Sequence, residues 1–322
     1  MNILITGARG LIGSALIERL RHSDNLIFCQ SRESHSDRPG LKWLKHDLVT
    51  DSWDCLDPYA IDVVYHLAGQ TSTYRARENP IEDLTANVLG LLNLLEYFRG
   101  GGQRPFMVVA GTATEVGLSE RLPINEGLPE HPVTFYDLSK LTAEMYLKQY
   151  VRDGLANGCA LRLSNVFGRS RPEQQKDRGI LDKIFSMAAA GKVITIYGDG
   201  NYLRDYIFID DVVAAFVAAA EHHQQTNGRG FYIGSGRGVL LKDAFLKVAA
   251  LAEKIMGIEV NHEYVDPPAE LSEIEYRNSV IDASAFRKAT GWMPHYDFDA
   301  GIAAAFQGYW YDQQFSIHSD KF

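Results

Sequence analysis

The sequence predicts an α/β fold, a doubly wound parallel sheet with a smaller C-terminal region. Three observations predict it. Short apolar runs alternate with segments of helical period through the first half, a glycine-punctuated turn joins the first run to the first helical segment, and the pattern loosens beyond Gly168. The size fits: 322 residues allow one large domain or two smaller ones at roughly 100–200 residues each. With 46% hydrophobic and 23% charged residues, a disordered or fibrous chain is excluded.

The elements follow in order. Asn2–Thr6 reads as a buried strand, Leu11–Arg21 as a helix, Leu26–Gln30 as a second strand and Val63–Leu67 as a third. Ile81–Phe98 reads as a long helix, Phe106–Ala110 as a strand, Phe135–Val151 as a helix and Cys159–Leu163 as a strand. Strands alternating with helices imply βαβ units, whose ligands sit at the carboxyl ends of the strands. Ser170–Asp177 is polar and loop-like, and Asp266-Pro267-Pro268 marks a further break. No internal repeat or heptad array is present.

Charge and cysteines narrow the function classes. A net charge of −9 argues against a protein that coats nucleic acid or an anionic membrane. Cys29, Cys55 and Cys159 are odd in number and far apart, so neither a disulfide framework nor a cysteine metal site is expected, and a reducing cytoplasm fits. No signal peptide or membrane span is expected, because the longest apolar stretch, Val212–Ala220, falls short of the ~20 residues that cross a bilayer.

The turn after the first strand reads Thr6-Gly7-Ala8-Arg9-Gly10-Leu11-Ile12-Gly13. Gly7 permits the tight turn, Gly10 lets backbone N–H groups approach a pyrophosphate, and Gly13 allows close packing of helix on strand. This is a Rossmann-type dinucleotide fingerprint. Strand two ends in Gln30-Ser31-Arg32 without an acid to bond the ribose hydroxyls, so Arg32 and Arg9 favour the 2′-phosphate of NADP(H), with NAD(H) as the alternative.

Tyr136-Asp137-Leu138-Ser139-Lys140 follows a helix start capped by Thr134, so Tyr136 and Lys140 share a helical face. A nearby ammonium favours the phenolate and suits Tyr136 to proton exchange with a hydroxyl. Thr112 and Thr114, after the strand Phe106–Ala110, place hydroxyls at the sheet's functional edge.

With these motifs the chain resembles the extended short-chain dehydrogenases/reductases of the nucleotide-sugar epimerase/dehydratase family. Further matches are Lys45-His46-Asp47-Leu48, His66-Leu67-Ala68-Gly69, Asn87-Val88-Leu89-Gly90, Leu161–Gly168, Tyr197-Gly198-Asp199-Gly200, Leu203–Asp211, Arg277–Asp282 and Thr290-Gly291-Trp292. The resemblance implies a Rossmann domain over 1–168, with a segment near 205–235 returning to it, and a nucleotide-sugar region over 169–322. It implies Tyr136 as acid/base, Lys140 lowering its pKa and holding the nicotinamide ribose, and Thr112 bonding the reacting oxygen. Cofactor contacts are implied at Gly7, Arg9, Gly10, Leu11, Ile12, Gly13, Ser31, Arg32, Asp47, Leu48, Leu67, Ala68, Gly69, Asn87, Ala110, Tyr136, Lys140 and Leu163. Substrate contacts are implied at Thr112, Thr114, Asn165, Tyr197, Arg204 and Arg277, the arginines suiting a diphosphate, with no metal.

The reaction is narrowed by one segment. A 4,6-dehydratase of this family carries Thr-Asp-Glu-Val-Tyr-Gly where this chain has Thr112-Ala113-Thr114-Glu115-Val116-Gly117, which looks closer to the Ser-Ala-Thr of 4-epimerases. The expectation is therefore C4 chemistry, as a 4-epimerase or a 4-ketoreductase. A 4,6-dehydratase in which Glu115 substitutes, a reductase of a non-sugar ketone and a non-catalytic NADP-binding sensor or scaffold stand as alternatives. The family's subunits pair through two helices, here Ile81–Phe98 and Phe135–Val151, so the resemblance implies a homodimer through Leu84, Val88, Leu91, Leu92, Leu95, Leu138, Leu141 and Met145.

Overall fold

A computed structural model of the chain describes residues 1–168 and 179–307. The loop expected at Ser170–Asp177 lies outside the described residues. In chain order the strands are β1 (Asn2–Thr6), β2 (Leu26–Ser31), β3 (Leu41–Lys45), β4 (Val63–His66), β5 (Phe106–Thr112), β6 (Asn157–Leu163), β7 (Asn165–Phe167), β8 (Ile194–Tyr197), β9 (Leu203–Phe208), β10 (Gly230–Ile233), β11 (Gly238–Leu240) and β12 (His262–Val265). The helices are α1 (Leu11–Leu20), α2 (Thr73–Glu78), α3 (Pro80–Leu84), α4 (Gly90–Gly100), α5 (Phe135–Arg152), α6 (Ile180–Ala189), α7 (Ile209–Glu221), α8 (His223–Thr226), α9 (Leu241–Met256) and α10 (Ser284–Thr290).

Seven strands form a parallel sheet in the order β10-β6-β5-β4-β1-β2-β3. Strand order reverses between β1 and β4, and the crevice outside their carboxyl ends is where such a sheet binds ligands. Alternate residues face opposite layers, as a pleated strand requires. Ile3, Ile5, Val63, Tyr65, Phe106 and Val108 pack into the layer that includes α1 and α7. Leu4, Val64, Met107 and Val109 pack on the other face against Leu91, Leu94, Leu95 and Phe98 of α4 and Ala143 and Leu147 of α5.

Two elements differ from the expectation. β3 was not anticipated, because Leu41-Lys42-Trp43-Leu44-Lys45 carries lysines where a buried strand carries aliphatics; it lies at the sheet's edge, where lysines discourage pairing with another chain. The helix expected over Ile81–Phe98 is interrupted by a π-helical turn, Thr85–Leu89, between α3 and α4. That turn places the Asn87 side chain in the protein interior.

The C-terminal region hangs on β9, which pairs with β7 and β11 in a second sheet, while β8 and β12 form a parallel pair. Asp205 of β9 is fully buried and accepts from the backbone N–H groups of Ser235, Gly236 and Ile281 at 2.7–3.0 Å. It ties three separate segments together. Asp205→Ala leaves these buried N–H groups unpartnered, so a loss of about 3 kcal/mol or more is expected in urea unfolding; an unchanged midpoint would contradict this role.

Candidate active site

The glycine loop is built for a close backbone approach. Gly7 has φ +64°, and a Cβ there would stand 2.7 Å from the Ala68 nitrogen, while a Cβ on Gly13 would stand 2.4 Å from the Gly7 carbonyl oxygen. The Thr6 hydroxyl oxygen accepts from the N–H groups of Leu67 and Ala68, both at 3.2 Å, and is hydrogen-bonded to His66 Nδ1 at 3.0 Å. Gln30, expected near the ribose, is a buried strut whose Oε1 accepts from Gly7 N–H at 2.9 Å and whose amide donates to His46 O at 2.6 Å.

The loop opens into a cleft of about 1640 Å³ that runs from Gly7 to Arg277. That exceeds the roughly 300–1,000 Å³ of a single small-molecule site and leaves room for two ligands. Apart from Asn87, all the cofactor and substrate positions expected from the sequence line it. Asn87 stands one layer behind: its Oδ1 accepts from Gln70 N–H at 3.1 Å, and its amide donates to Asp83 at 2.9 Å and to Ser139 Oγ at 3.1 Å. It supports the Gly69–Gln70 turn from beneath. Asp83, Gln70 and Ser139 escaped the sequence reading, although for Asp83 and Ser139 a polar residue inside a helix is an available signal.

At the far end of the loop, Ser31 and Arg32 line the cleft. Arg9 Nη1 is paired with Glu33 Oε2 at 2.7 Å, so an acid does stand at this end, two positions after the end of β2. Asp47 also lines the cleft, and its Oδ1 accepts from the N–H of Val49 at 2.8 Å, forming its own turn. With glycines where a Cβ would clash and the α1 N-terminus opening on the crevice, these residues fit a dinucleotide.

Tyr136 and Lys140 project from one face of α5, whose start is closed by a reciprocal Thr134–Asp137 capping box. Tyr136, Thr112 and Lys140 line the same stretch of the cleft, with the Thr112 side chain close enough to the phenol to favour its ionised form. Thr112 Oγ1 lies 2.8 Å from Thr114 Oγ1, which in turn donates to the Asp137 carboxylate. Burial pushes the Tyr136 phenol above its ordinary value, Asp137 adds to the rise, and the Thr112 side chain opposes it. Burial lowers Lys140, with Glu115 and Asp83 resisting. Its Nζ lies 3.9 Å from where a Cβ on Gly69 would stand, on the dinucleotide side of the cleft.

Glu115 does not line the cleft. It is fully buried, its Oε1 accepts from Thr112 N–H at 2.9 Å, and burial together with the neighbouring Glu144 raises its carboxyl to about 8.

On the substrate side, Arg204 is buried and donates to the carbonyls of Leu203, Glu275 and Arg277. Arg277 donates to Ile274 O at 2.7 Å. Burial and the nearby Arg277 pull Arg204 down to about 10, and burial lowers Arg277 as well. Two desolvated cations with no carboxylate within 4.0 Å among the described residues make an anion site. Asn165 lines the cleft and donates to Asp205 O at 3.1 Å, and Tyr197 is partly exposed at the end of β8. Tyr74, Tyr202 and Tyr276 also line this end, Tyr202 and Tyr276 with ring centroids 5.5 Å apart, and the sequence reading missed all three.

Fold and cleft define a dinucleotide-binding enzyme with a second compartment lined by Arg204 and Arg277. The sequence model of the NAD dependent epimerase/dehydratase family matches residues 3–234, and the chain belongs to that family. A UDP-glucose 4-epimerase of Mycolicibacterium smegmatis is 31% identical, over 94% of this chain and 96% of its own. Among solved structures, Thermus thermophilus UDP-glucose 4-epimerase in complex with NAD has a TM-score of 0.82 at 25% identity, over 96% of this chain and 99% of its own. Thermotoga maritima UDP-glucose 4-epimerase with UDP-glucose reaches 0.85 at 24% identity, over 97% and 100%, and shows the same fold. The family is NAD-dependent and enzymatic, and no helix of the described residues is long and apolar enough to cross a membrane.

Burial holds His66 down to about 3 from an ordinary 6.5. Its neutral form contributes stability that is present above about pH 6.5 and is lost as pH falls toward 3. Relative to His66→Gln, the wild type should lose about 2 kcal/mol between pH 6.5 and 5 in urea unfolding. A pH-independent difference would contradict a buried neutral imidazole.

Proposed function

We propose that the chain is a nucleotide-sugar 4-epimerase that interconverts sugar C4 configurations by reversible oxidation. The carrying observation is that Tyr136, Thr112 and Lys140 line one stretch of a cleft that continues to the buried Arg204 and the half-buried Arg277. Arg277 and Asn165 hold the diphosphate, and Arg204, bound to the carbonyls of Glu275 and Arg277, fixes the segment that carries Arg277. Thr112 orients the C4 oxygen. Tyr136 takes the C4 hydroxyl proton as the C4–H bond breaks and C4=O forms, and returns it when the opposite face is reduced. Lys140, four residues on along the same helix, brings the positive charge that favours the phenolate against the burial that holds it protonated. Bound at the glycine loop, the nicotinamide dinucleotide supplies hydride acceptance and donation.

The full-length likeness to a curated UDP-glucose 4-epimerase supports this reaction over the 4,6-dehydratase, as does Glu115, which lies behind the cleft. Arg9 and Arg32 support NADP(H) over NAD(H), against the pairing of Arg9 with Glu33. A 4-ketoreductase is the second reading, favoured by these same arginines. Mass spectrometry of the cofactor that co-purifies separates NADP(H) from NAD(H).

Incubation with UDP-glucose should produce UDP-galactose by NMR without added reductant. Tyr136→Phe should lower kcat by about 10²–10⁴-fold, and Arg277→Ala should raise KM. A Tyr136→Phe enzyme with most of its turnover would sink the acid/base assignment, and turnover only with added NADPH would favour the ketoreductase.

We also propose a homodimer through α3 and α5. Of the apolar residues expected there, Leu84, Leu138 and Met145 are exposed, with Ile81 beside them at 77% exposure, whereas Val88, Leu91 and Leu95 are buried within the subunit's own core. Sedimentation should give a dimer at micromolar concentration and a monomer for Leu138→Glu/Met145→Glu; a monomeric wild type would remove the interface.

A further inference from the structure

Beneath the acid/base groups lies a buried charge cluster with no part in ligand contact. Arg162 of β6 is 3% exposed and points away from the layer that holds Leu161 and Leu163. Its guanidinium grips Glu144 with two bonds, Nε to Oε2 at 2.9 Å and Nη2 to Oε1 at 2.8 Å. The same guanidinium bonds Glu130 Oε1 at 2.6 Å and the Tyr232 hydroxyl at 3.2 Å, and its Nε lies 3.1 Å from Glu115 Oε2 at ion-pair distance without hydrogen-bond alignment. Lys148 Nζ completes the cluster at 2.5 Å from Glu144 Oε1.

The two principal partners belong to different halves of the acid/base site. Glu144 stands on α5 at the i+8 and i+4 positions from Tyr136 and Lys140, so all three share one helical face. Glu115 reaches back to the N–H of Thr112 at 2.9 Å and shapes the turn that presents the Thr112 hydroxyl. Gly111, opposite Arg162 in the β5–β6 register, leaves the room: a Cβ there would stand 3.1 Å from Glu115 Oε1 and 3.4 Å from Arg162 Cγ. Ion clusters of this kind are poor sources of net stability compared with apolar packing, yet their bonds are directional and fix geometry.

We propose that Arg162 is a positioning residue for the acid/base site, holding the α5 face that carries Tyr136 and Lys140 through Glu144, and the turn that presents Thr112 through Glu115. The proposal rests on the reading of Tyr136, Lys140 and Thr112 as the acid/base groups. Glu130 and Lys148 balance charge at the rim, and Tyr232 occupies the remaining side of the guanidinium.

The test uses the full chain, as Arg162→Lys, which keeps the charge and loses the fork, and Glu144→Gln, which keeps the shape and loses one charge. With UDP-glucose as the probe, kcat should fall about 10- to 100-fold in each variant while KM moves less than about two-fold, as displacement of a reacting group predicts. Independently of turnover, exchange of the Thr112 amide hydrogen should accelerate by about ten-fold or more while that of Val108, inside β5, stays unchanged, since only the local opening is altered. Wild-type kcat together with wild-type Thr112 exchange in a folded Glu144→Gln protein overturns the proposal. So does an equal loosening of Thr112 and Val108, which would make the cluster a support of the whole sheet. Should Arg162→Lys not fold, Glu144→Gln carries both readouts. A wild type that converts no nucleotide sugar removes the acid/base reading, and amide exchange still decides whether the cluster holds Thr112.

Discussion

The close approach of the chain leaving β1 to the chain leaving β4 is the constraint on which the site depends. The sheet reverses its order between these strands, and the Thr6 hydroxyl stitches their ends together by accepting from Leu67 and Ala68 and bonding to His66. Gly7 is left with so little room that a Cβ would overlap the Ala68 backbone. Because a side chain cannot stand between the two ends, backbone N–H groups and the start of α1 reach the crevice, and a pyrophosphate can approach them. Lys140 lies over Gly69, the next turn of the same ridge, which is itself held by Asn87. The lysine thus inherits its place from the strand-end contact.

Charge is handled locally, and the net charge of −9 is a poor guide to it. Arg204, buried, and its neighbour Arg277, half-buried, donate to backbone carbonyls in place of carboxylates. Carbonyls meet the hydrogen-bonding need and leave the positive charge uncompensated, which preserves attraction for an anion. Arg162 follows the opposite rule. Three carboxylates surround it, so its charge is consumed inside the protein and is available to no ligand. Burial alone therefore does not distinguish a binding arginine from an architectural one; the chemistry of its acceptors does.

The same distinction explains what could be read from the sequence. The alternation of strands and helices, the glycine loop and the Tyr136–Lys140 pair were legible because each rests on local spacing, and nearly every residue inferred for the cleft lines it. The bracing role of Gln30 was not legible because its partners, Gly7 and His46, lie on two other segments. β3 was invisible because an edge strand needs no apolar pattern, and the π turn at Thr85–Leu89 because its cause is the distant pairing of Asn87 with Gln70 and Ser139. Glu115 looked like a spare catalytic acid until its partner, Arg162 of β6, could be seen. Long-range polar contacts leave no period in a sequence.

That last case bears on the reaction. Elimination from a sugar needs a carboxylate free to face C5 or C6 of the ring. In this chain the segment Thr112-Ala113-Thr114-Glu115 brings its acid to the turn's fourth position, where the backbone directs it behind β5 and not into the cleft. Glu115 is there engaged by the N–H of Thr112 and lies at ion-pair distance from Arg162, and freeing it would leave the buried Thr112 N–H without a partner. Thr114 faces the cleft in its stead with a hydroxyl that is already donated to Asp137. A hydroxyl in that state can accept a hydrogen bond from a ligand but cannot abstract its proton, so the turn presents no free acid or base to the cleft.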